Sequence, residues 1–442
     1  GRRAGSGGAA VSGPAPAFLS AFAGEPSLQG GPPWLAQLRA EGLARFGEVG
    51  LPTPKLEDWK YTSLAPLAQV PFVPGPSRPA ATQAQVEALA GGMDGPQLVF
   101  VNGRLSEALS RWTESSGAVL TPFGQVAGER GELLRARLGR DLALGTQPMA
   151  ALNTALFGDG ALVEIHPGAE PPPIHVVFLS SASQPVAAFP RLLLIAGEGC
   201  RATVLLSFVG SGSARSFTDA VVELDVGARA EVTVYTDQQE PENAAHASLL
   251  QVSQAQDSRF ASHVFALGGA VARDEVRVRM NGTGCACTLN GLYLASGSQH
   301  LDQHTLIDHV QPRCSSRELY KGVLDGSAHG VFTGRVLVRP DAQKTDSTQT
   351  NKNLLLSEHA QVDTRPQLEI FADDVKCTHG SAVGQIDEAA LFYLRSRGID
   401  RASARGLLTS AFVSEVVDAV TWPALKLWVQ ERVASRLGRV WA

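Results

Sequence analysis

Cysteine is scarce: five residues in 442, an odd number scattered along the chain. That pattern argues against a disulfide framework and for a reducing compartment, read as bacterial cytoplasm in preference to a plastid. Long hydrophobic runs are also missing. The longest, such as Leu192-Leu193-Leu194-Ile195-Ala196, fall far short of a bilayer span. Charge of either sign is modest, 18% of residues with a net of -5, so electrostatics do not argue for nucleic acid or an anionic membrane as partner. The chain has no Walker A phosphate loop, G-x-S-x-G elbow, H-E-x-x-H or G-x-G-x-x-G fingerprint. Bound nucleotide and the commonest hydrolase and dinucleotide chemistries are therefore not expected of it. Residues 1–24 lack Asp and Glu. An organellar transit peptide shares that composition, but a flexible arm over 1–30 is the preferred reading, and no apolar core follows Arg2-Arg3 as a secretory signal requires.

What the chain does have is a change of period. Over 31–157 it is mixed and mostly helical. Leu35, Leu38, Leu43 and Phe46 recur at helical spacing, a second helix is expected near Gln83–Leu89, and a further helical stretch through Leu133, Leu134 and Leu138 to Leu156. Between them Gln97–Val101 reads as a strand turning at Asn102-Gly103. Over 158–386 alternation takes over. Ala228, Ala230, Val232 and Val234 are expected inward, Arg229, Glu231 and Thr233 outward. Related phrases begin at Gly199-Cys200 and Gly284-Cys285. Short strands with no intervening helices and small residues near turns favour a β-solenoid, with polar Thr345–Asn353 at its turns. Over 387–442 helices return: Asp387–Arg397 before Gly398, a stripe of Leu408, Phe412, Val416 and Val420, and a last helix from Pro423.

The run Asp373-Asp374-Val375-Lys376-Cys377-Thr378-His379-Gly380 places a thiol and an imidazole two residues apart, on one face of an extended segment. Both suit iron, zinc or copper. Two ligands do not close a site, so a partner chain or distant residues would have to complete it. A buried thiol beside a hydrogen-bonded imidazole is the plainer reading of the same pair. Cys285, Cys287 and Cys200 read as core filling. His300, Asp302, His304 and Asp308 share the face opposite Leu301, Thr305 and Ile307, and are expected to meet solvent or a partner. Trp59-Lys60-Tyr61-Thr62 reads as an anchor packing an N-terminal segment.

Several stretches resemble the SufB/SufD family of scaffolds of the Suf iron–sulfur cluster assembly machinery, and its SufD branch more than its SufB branch. They are Leu51–Thr62, Asp302–His309, Tyr320-Lys321-Gly322, Lys344-Thr345-Asp346, Asn351–Leu356, Arg365–Ile370, Asp373–Gly380 and Phe392–Ile399. The likeness is continuous from about Leu301 to Val420. It implies a mainly β fold: a right-handed parallel β-helix (β-solenoid) core flanked by an N-terminal helical region and a C-terminal helical domain. It implies a non-enzymatic scaffold in complex with the SufB paralogue, paired along the β-helix edge, and with the ATPase SufC, bound by the C-terminal helices. The nascent, transient iron–sulfur cluster would form at the interface with SufB, and the family's Cys and His there fall on Cys377 and His379. The family's Lys-Cys-Ser-His has Thr378 in place of Ser. The open edge could also pair with itself in a homodimer. Flavin binding is assigned by neither residues nor resemblance. Two rival readings are a β-helical carbohydrate-active enzyme and a purely structural SufB partner without a ligand role.

Overall fold

The structure is a computed structural model that describes residues 16–76, 81–112, 117–181 and 183–441, the side chains of 439–441 excepted. Helices of the N-terminal region are α1 Leu19–Ala23, α2 Pro26–Gln29, α3 Pro33–Val49, α4 Gln83–Ala90, α5 Gly128–Arg137 and α6 Pro148–Leu156. Strands before the regular stack are β1 Val73–Pro74, β2 Gln97–Val101, β3 Arg104–Leu105, β4 Ala118–Pro122, β5 Gly160–Ile165, β6 Ile174–Ser181, β7 Val186–Ala188 and β8 Arg191–Ala196. The stack continues with β9 Arg201–Ser211, β10 Ser216–Val226, β11 Glu231–Gln239, β12 Ala245–Gln254, β13 Arg259–Ala266 and β14 Val271–Met280. It ends with β15 Ala286–Ala295, β16 His300–His309, β17 Ser315–Leu324, β18 His329–Val338, β19 Asp346–Leu355, β20 Gln361–Ile370 and β21 Lys376–Gly384. Three helices close the chain: α7 Glu388–Ser396, α8 Arg401–Asp418 and α9 Pro423–Trp441.

From β8 on, successive strands alternate between two parallel sheets, giving a β-solenoid of about seven turns. Sheet A runs β20-β18-β16-β14-β12-β10-β8-β5-β4, and sheet B runs β21-β19-β17-β15-β13-β11-β9-β6-β2-β3. The fold class expected from the alternation is the one observed. The recurring phrase is a repeated corner. Gly199, Arg229, Asp257, Gly284, Arg313 and Lys344 have φ between 55° and 66° or at 76°, a left-handed bend that reverses the chain between sheets. The next residue of each corner points inward and is small: Cys200, Ala230, Ser258, Cys285, Cys314 and Thr345 are nearly inaccessible. Ala228, expected inward, is instead part of the turn before β11. Ala230, Val232 and Val234 are inward as expected, and Arg229 is exposed.

The N-terminal region covers the outer face of sheet A and, through α4, the first strands of sheet B; the C-terminal helices cover most of the rest of sheet B. Phe18, Phe22, Phe46, Phe72 and α6 pack on the outer face of sheet A, against Phe217, Val221 and Leu249. Of the arm expected over 1–30, residues 1–15 lie outside the described residues. From Phe18 the chain is not an arm, because Phe18 and Phe22 are buried in this layer. The expected single helical stretch through Leu133 to Leu156 is two helices, separated at Gly139 (φ 78°) and restarted by Pro148. Sheet B is covered by α8 and α9 through Val413, Val416, Val417, Val429 and Val433, which meet Leu205, Tyr235, Phe265 and Leu292. Burying each such side chain contributes about 1.5–3 kcal/mol. Polar contacts fix the register: Lys321 Nζ donates to the Phe412 carbonyl and pairs with Glu415, each at 2.7 Å, and Trp428 Nε1 donates to Asp237 at 3.0 Å.

Candidate functional site

The two ends of the solenoid differ. At the N-terminal end, β4 pairs antiparallel with β5 and β3 pairs antiparallel with β2. At the C-terminal end, no further strand pairs with β20 or β21 among the described residues. Nearly all of β21 is exposed, and β20 is only partly covered. Unpaired strand edges of this length template pairing with another chain. Phe371 and Val383, 63% and 49% exposed, lie at this end.

Both residues singled out from the sequence are on β21. His379 is exposed and Cys377 half-buried. Parallel register carries the stack beneath them: Cys377 is the Cα partner of Ser347, itself opposite Ser316, and His379 that of Gln349, itself opposite Glu318. Paired residues of parallel strands share a face, so both continue inward-facing columns to the open end. Beneath Cys377, Ser316 Oγ donates to Ser347 Oγ at 2.8 Å and lies 3.0 Å from His309 Nε2. Burial, and to a lesser degree the Asp346 carboxylate, raise the Cys377 thiol above its ordinary value, while a backbone hydrogen bond at Ser347 opposes them. Lys376 therefore does not make it a thiolate. Asp374 is ion-paired with Lys344. Among the described residues, no group of three or more His, Cys, Asp or Glu is placed to hold a metal ion, and no helix is long and apolar enough to cross a membrane.

The His/Asp face of β16 corrects the sequence expectation. Asp302 and His304 are buried against the chain's own N-terminal anchor, His300 is half-buried beside it, and Asp308 pairs with Arg339 instead. Thr62 Oγ1 donates to Asp302 Oδ2 at 2.6 Å and lies 2.7 Å from His300 Nε2. Arg273 stacks 4.0 Å over the Trp59 ring, pairs with Asp302 at 2.7 Å and lies 2.9 Å from His304 Nδ1. Burial lowers His304 to about 4, with Arg273 adding to the effect, so its ring is neutral. Glu57 extends the clamp by pairing with Arg365 on β20.

Sequence reasoning missed the polar columns behind β21. Thr345–Asn353, expected at turns, is mostly the strand β19. Its odd-numbered residues Ser347, Gln349, Asn351 and Asn353 are buried inward, where Asn351 and Asn353 bond to Tyr293 and Tyr320. The signal was present as parity within that polar run. Cys200, Cys285 and Cys287 are buried core residues, as expected.

Two family models match the chain. SufBD core domain of the SUF system for FeS cluster assembly covers residues 178–412, and SufBD protein N-terminal region covers 28–170. An iron-sulfur cluster assembly protein SufD of Escherichia coli (strain K12) is 35% identical, over 89% of this chain and 91% of that protein. An iron-sulfur cluster assembly SufBD family protein of Synechocystis, slr0076, is 30% identical over 88% of each. The chloroplastic protein ABCI7 of Arabidopsis thaliana is 35% identical over 52% of this chain and 49% of its own length.

Proposed function

Because this chain belongs to the SufBD family of iron–sulfur cluster assembly proteins, we propose that it is a non-enzymatic scaffold subunit whose open solenoid end pairs with a SufB paralogue. The nascent cluster is cargo, held transiently where the two solenoids meet. His379 is the first ligand from this side and Cys377 the second. The observation that carries this reading is the asymmetry of the solenoid: one end is closed by antiparallel strands, the other left open where the imidazole and thiol emerge. A neutral imidazole ligates iron through one nitrogen while the other is oriented by a hydrogen bond. Two ligands on an edge become a full set when a second edge faces them.

The ATPase SufC docks on the helical layer over sheet B, whose outer surface leaves Phe392, Tyr393, Leu407 and Leu427 exposed. Co-expression with a SufB paralogue tests the pairing. The wild-type chain should co-purify as a heterodimer, and Phe371→Asp with Val383→Asp should not, at unchanged thermal midpoint. Equal recovery of the double variant contradicts the edge assignment. A homodimer of this chain alone is the same edge paired with itself.

A further inference from the structure

The column beneath His379 carries a second layer of the site. Leu289, Glu318, Gln349 and His379 are successive Cα partners on β15, β17, β19 and β21. Gln349 is 1% exposed and Glu318 4%. The Gln349 amide nitrogen donates to Glu318 Oε2 at 2.6 Å, which fixes the orientation of the amide. Its other atom, Oε1, is buried with no hydrogen-bond partner. Space for this side chain is kept by Gly334 on β18, where a Cβ would lie 2.4 Å from Gln349 Nε2 and 2.7 Å from the Phe332 ring. A buried carbonyl oxygen without a donor is costly unless something supplies one. The next residue along this face is an imidazole.

Resting on the reading of His379 as an iron ligand, we propose that Gln349 is a positioning residue for it. The unpartnered amide oxygen accepts the imidazole N–H from the neighbouring turn, Glu318 pins the amide, and the second ring nitrogen faces the open end with its lone pair available. A glutamine at 318 can accept from Gln349 in the same way, whereas an apolar residue cannot. Burial raises Glu318 to about 7, against the hydrogen bond it accepts from Gln349, so an uncharged glutamine there resembles one of the two protonation states of the native residue.

The full-length chain, labelled with nitrogen-15 at histidine and with the His379 signals assigned by His379→Ala, tests this directly. One neutral tautomer of His379 should dominate in the wild type. Gln349→Met and Glu318→Leu should return it to the mixture of free imidazole, and Glu318→Gln should keep the wild-type preference. A wild-type His379 with the free-imidazole ratio overturns the proposal, and that result needs no variant to fold. In the complex with the SufB paralogue and the ATPase, Gln349→Met should lower cluster yield about 10-fold or more at unchanged assembly; unchanged yield overturns the positioning role. If His379→Ala forms cluster normally while the tautomer preference holds, the ligand reading fails and the hydrogen bond stands. If His379→Ala loses the cluster but the wild type shows no preference, the ligand reading stands and the Gln349 role fails.

Discussion

The Thr62 hydroxyl donates to Asp302 Oδ2 at 2.6 Å across 240 positions of sequence. This bond, with Trp59 beneath Arg273, locks the N-terminal segment onto β16 and β14, and Glu57 of the same segment reaches Arg365 on β20, the strand that ends sheet A. The anchor thus holds the outer face of sheet A closed up to its last strand, although it lies far from these strands in sequence.

Trp59→Ala should cost about 3–5 kcal/mol of local stability by emptying a buried ring site. Thr62→Ala should cost about 1–3 kcal/mol by removing a donor from the buried Asp302 carboxylate. Hydrogen exchange over residues 51–70 and β16 is the suitable readout, because it reports local opening of the anchored segment directly. Unchanged protection in Trp59→Ala would contradict the anchoring role.

Inside the solenoid, His246 lies 2.7 Å from Glu240 and 3.4 Å from Asp274, all three nearly inaccessible. Burial alone lowers the imidazole, but the two carboxylates outweigh it and raise His246 from 6.5 to about 10. A group raised on folding stabilises fully below its unfolded value and loses that contribution as pH rises through its folded value. The advantage of wild type over His246→Leu should therefore be about 3–5 kcal/mol near neutrality, and should shrink between 6.5 and about 10. Denaturant midpoints of the two proteins across that range check it; a pH-independent difference would show that the imidazole is not charged.

The proposed ATPase surface calls for point substitutions. Removing α8 and α9 would bare Leu205, Tyr235, Phe265 and Leu292 on sheet B and would confuse lost docking with lost folding. Leu407→Asp together with Leu427→Asp, at positions 53% and 63% exposed, should weaken ATPase capture about 10-fold or more, as buried interface anchors do. Thermal stability should stay within about 0.5 kcal/mol, as for surface changes. Full capture by the double variant would place the docking surface elsewhere.

Much of this architecture is legible in the sequence because solenoid strands obey a period of two. Val232 and Val234 face inward by that alternation, whereas Arg229 is exposed because it sits at the corner before the strand. The pair at Cys377 and His379 is legible through its spacing and through its likeness to a family. The corner itself is harder to read, because a left-handed residue is glycine at 199 and 284 but arginine at 229 and 313, aspartate at 257 and lysine at 344. Polarity misleads in two places. Asn351 and Asn353 look like turn residues but satisfy buried tyrosines, and Asp302 and His304 look solvent-facing but are closed over by a segment some 240 positions earlier. Local pattern fixes which face a side chain takes, whereas what covers that face is set by tertiary docking. The same limit hides Gln349 and Glu318, which come to lie in the column beneath His379 only when the turns are stacked in register.

Anaerobic reconstitution of the purified complex of this chain, a SufB paralogue and the SufC ATPase with iron and sulfide tests the central claim most directly. Wild type and His379→Ala should assemble equally, and the variant should form cluster at about one-tenth of the wild-type yield or less, a loss of at least about 1.4 kcal/mol in effective binding, with Cys377→Ala milder. Wild-type cluster yield from the His379→Ala complex would contradict the ligand role and leave this chain a structural partner only.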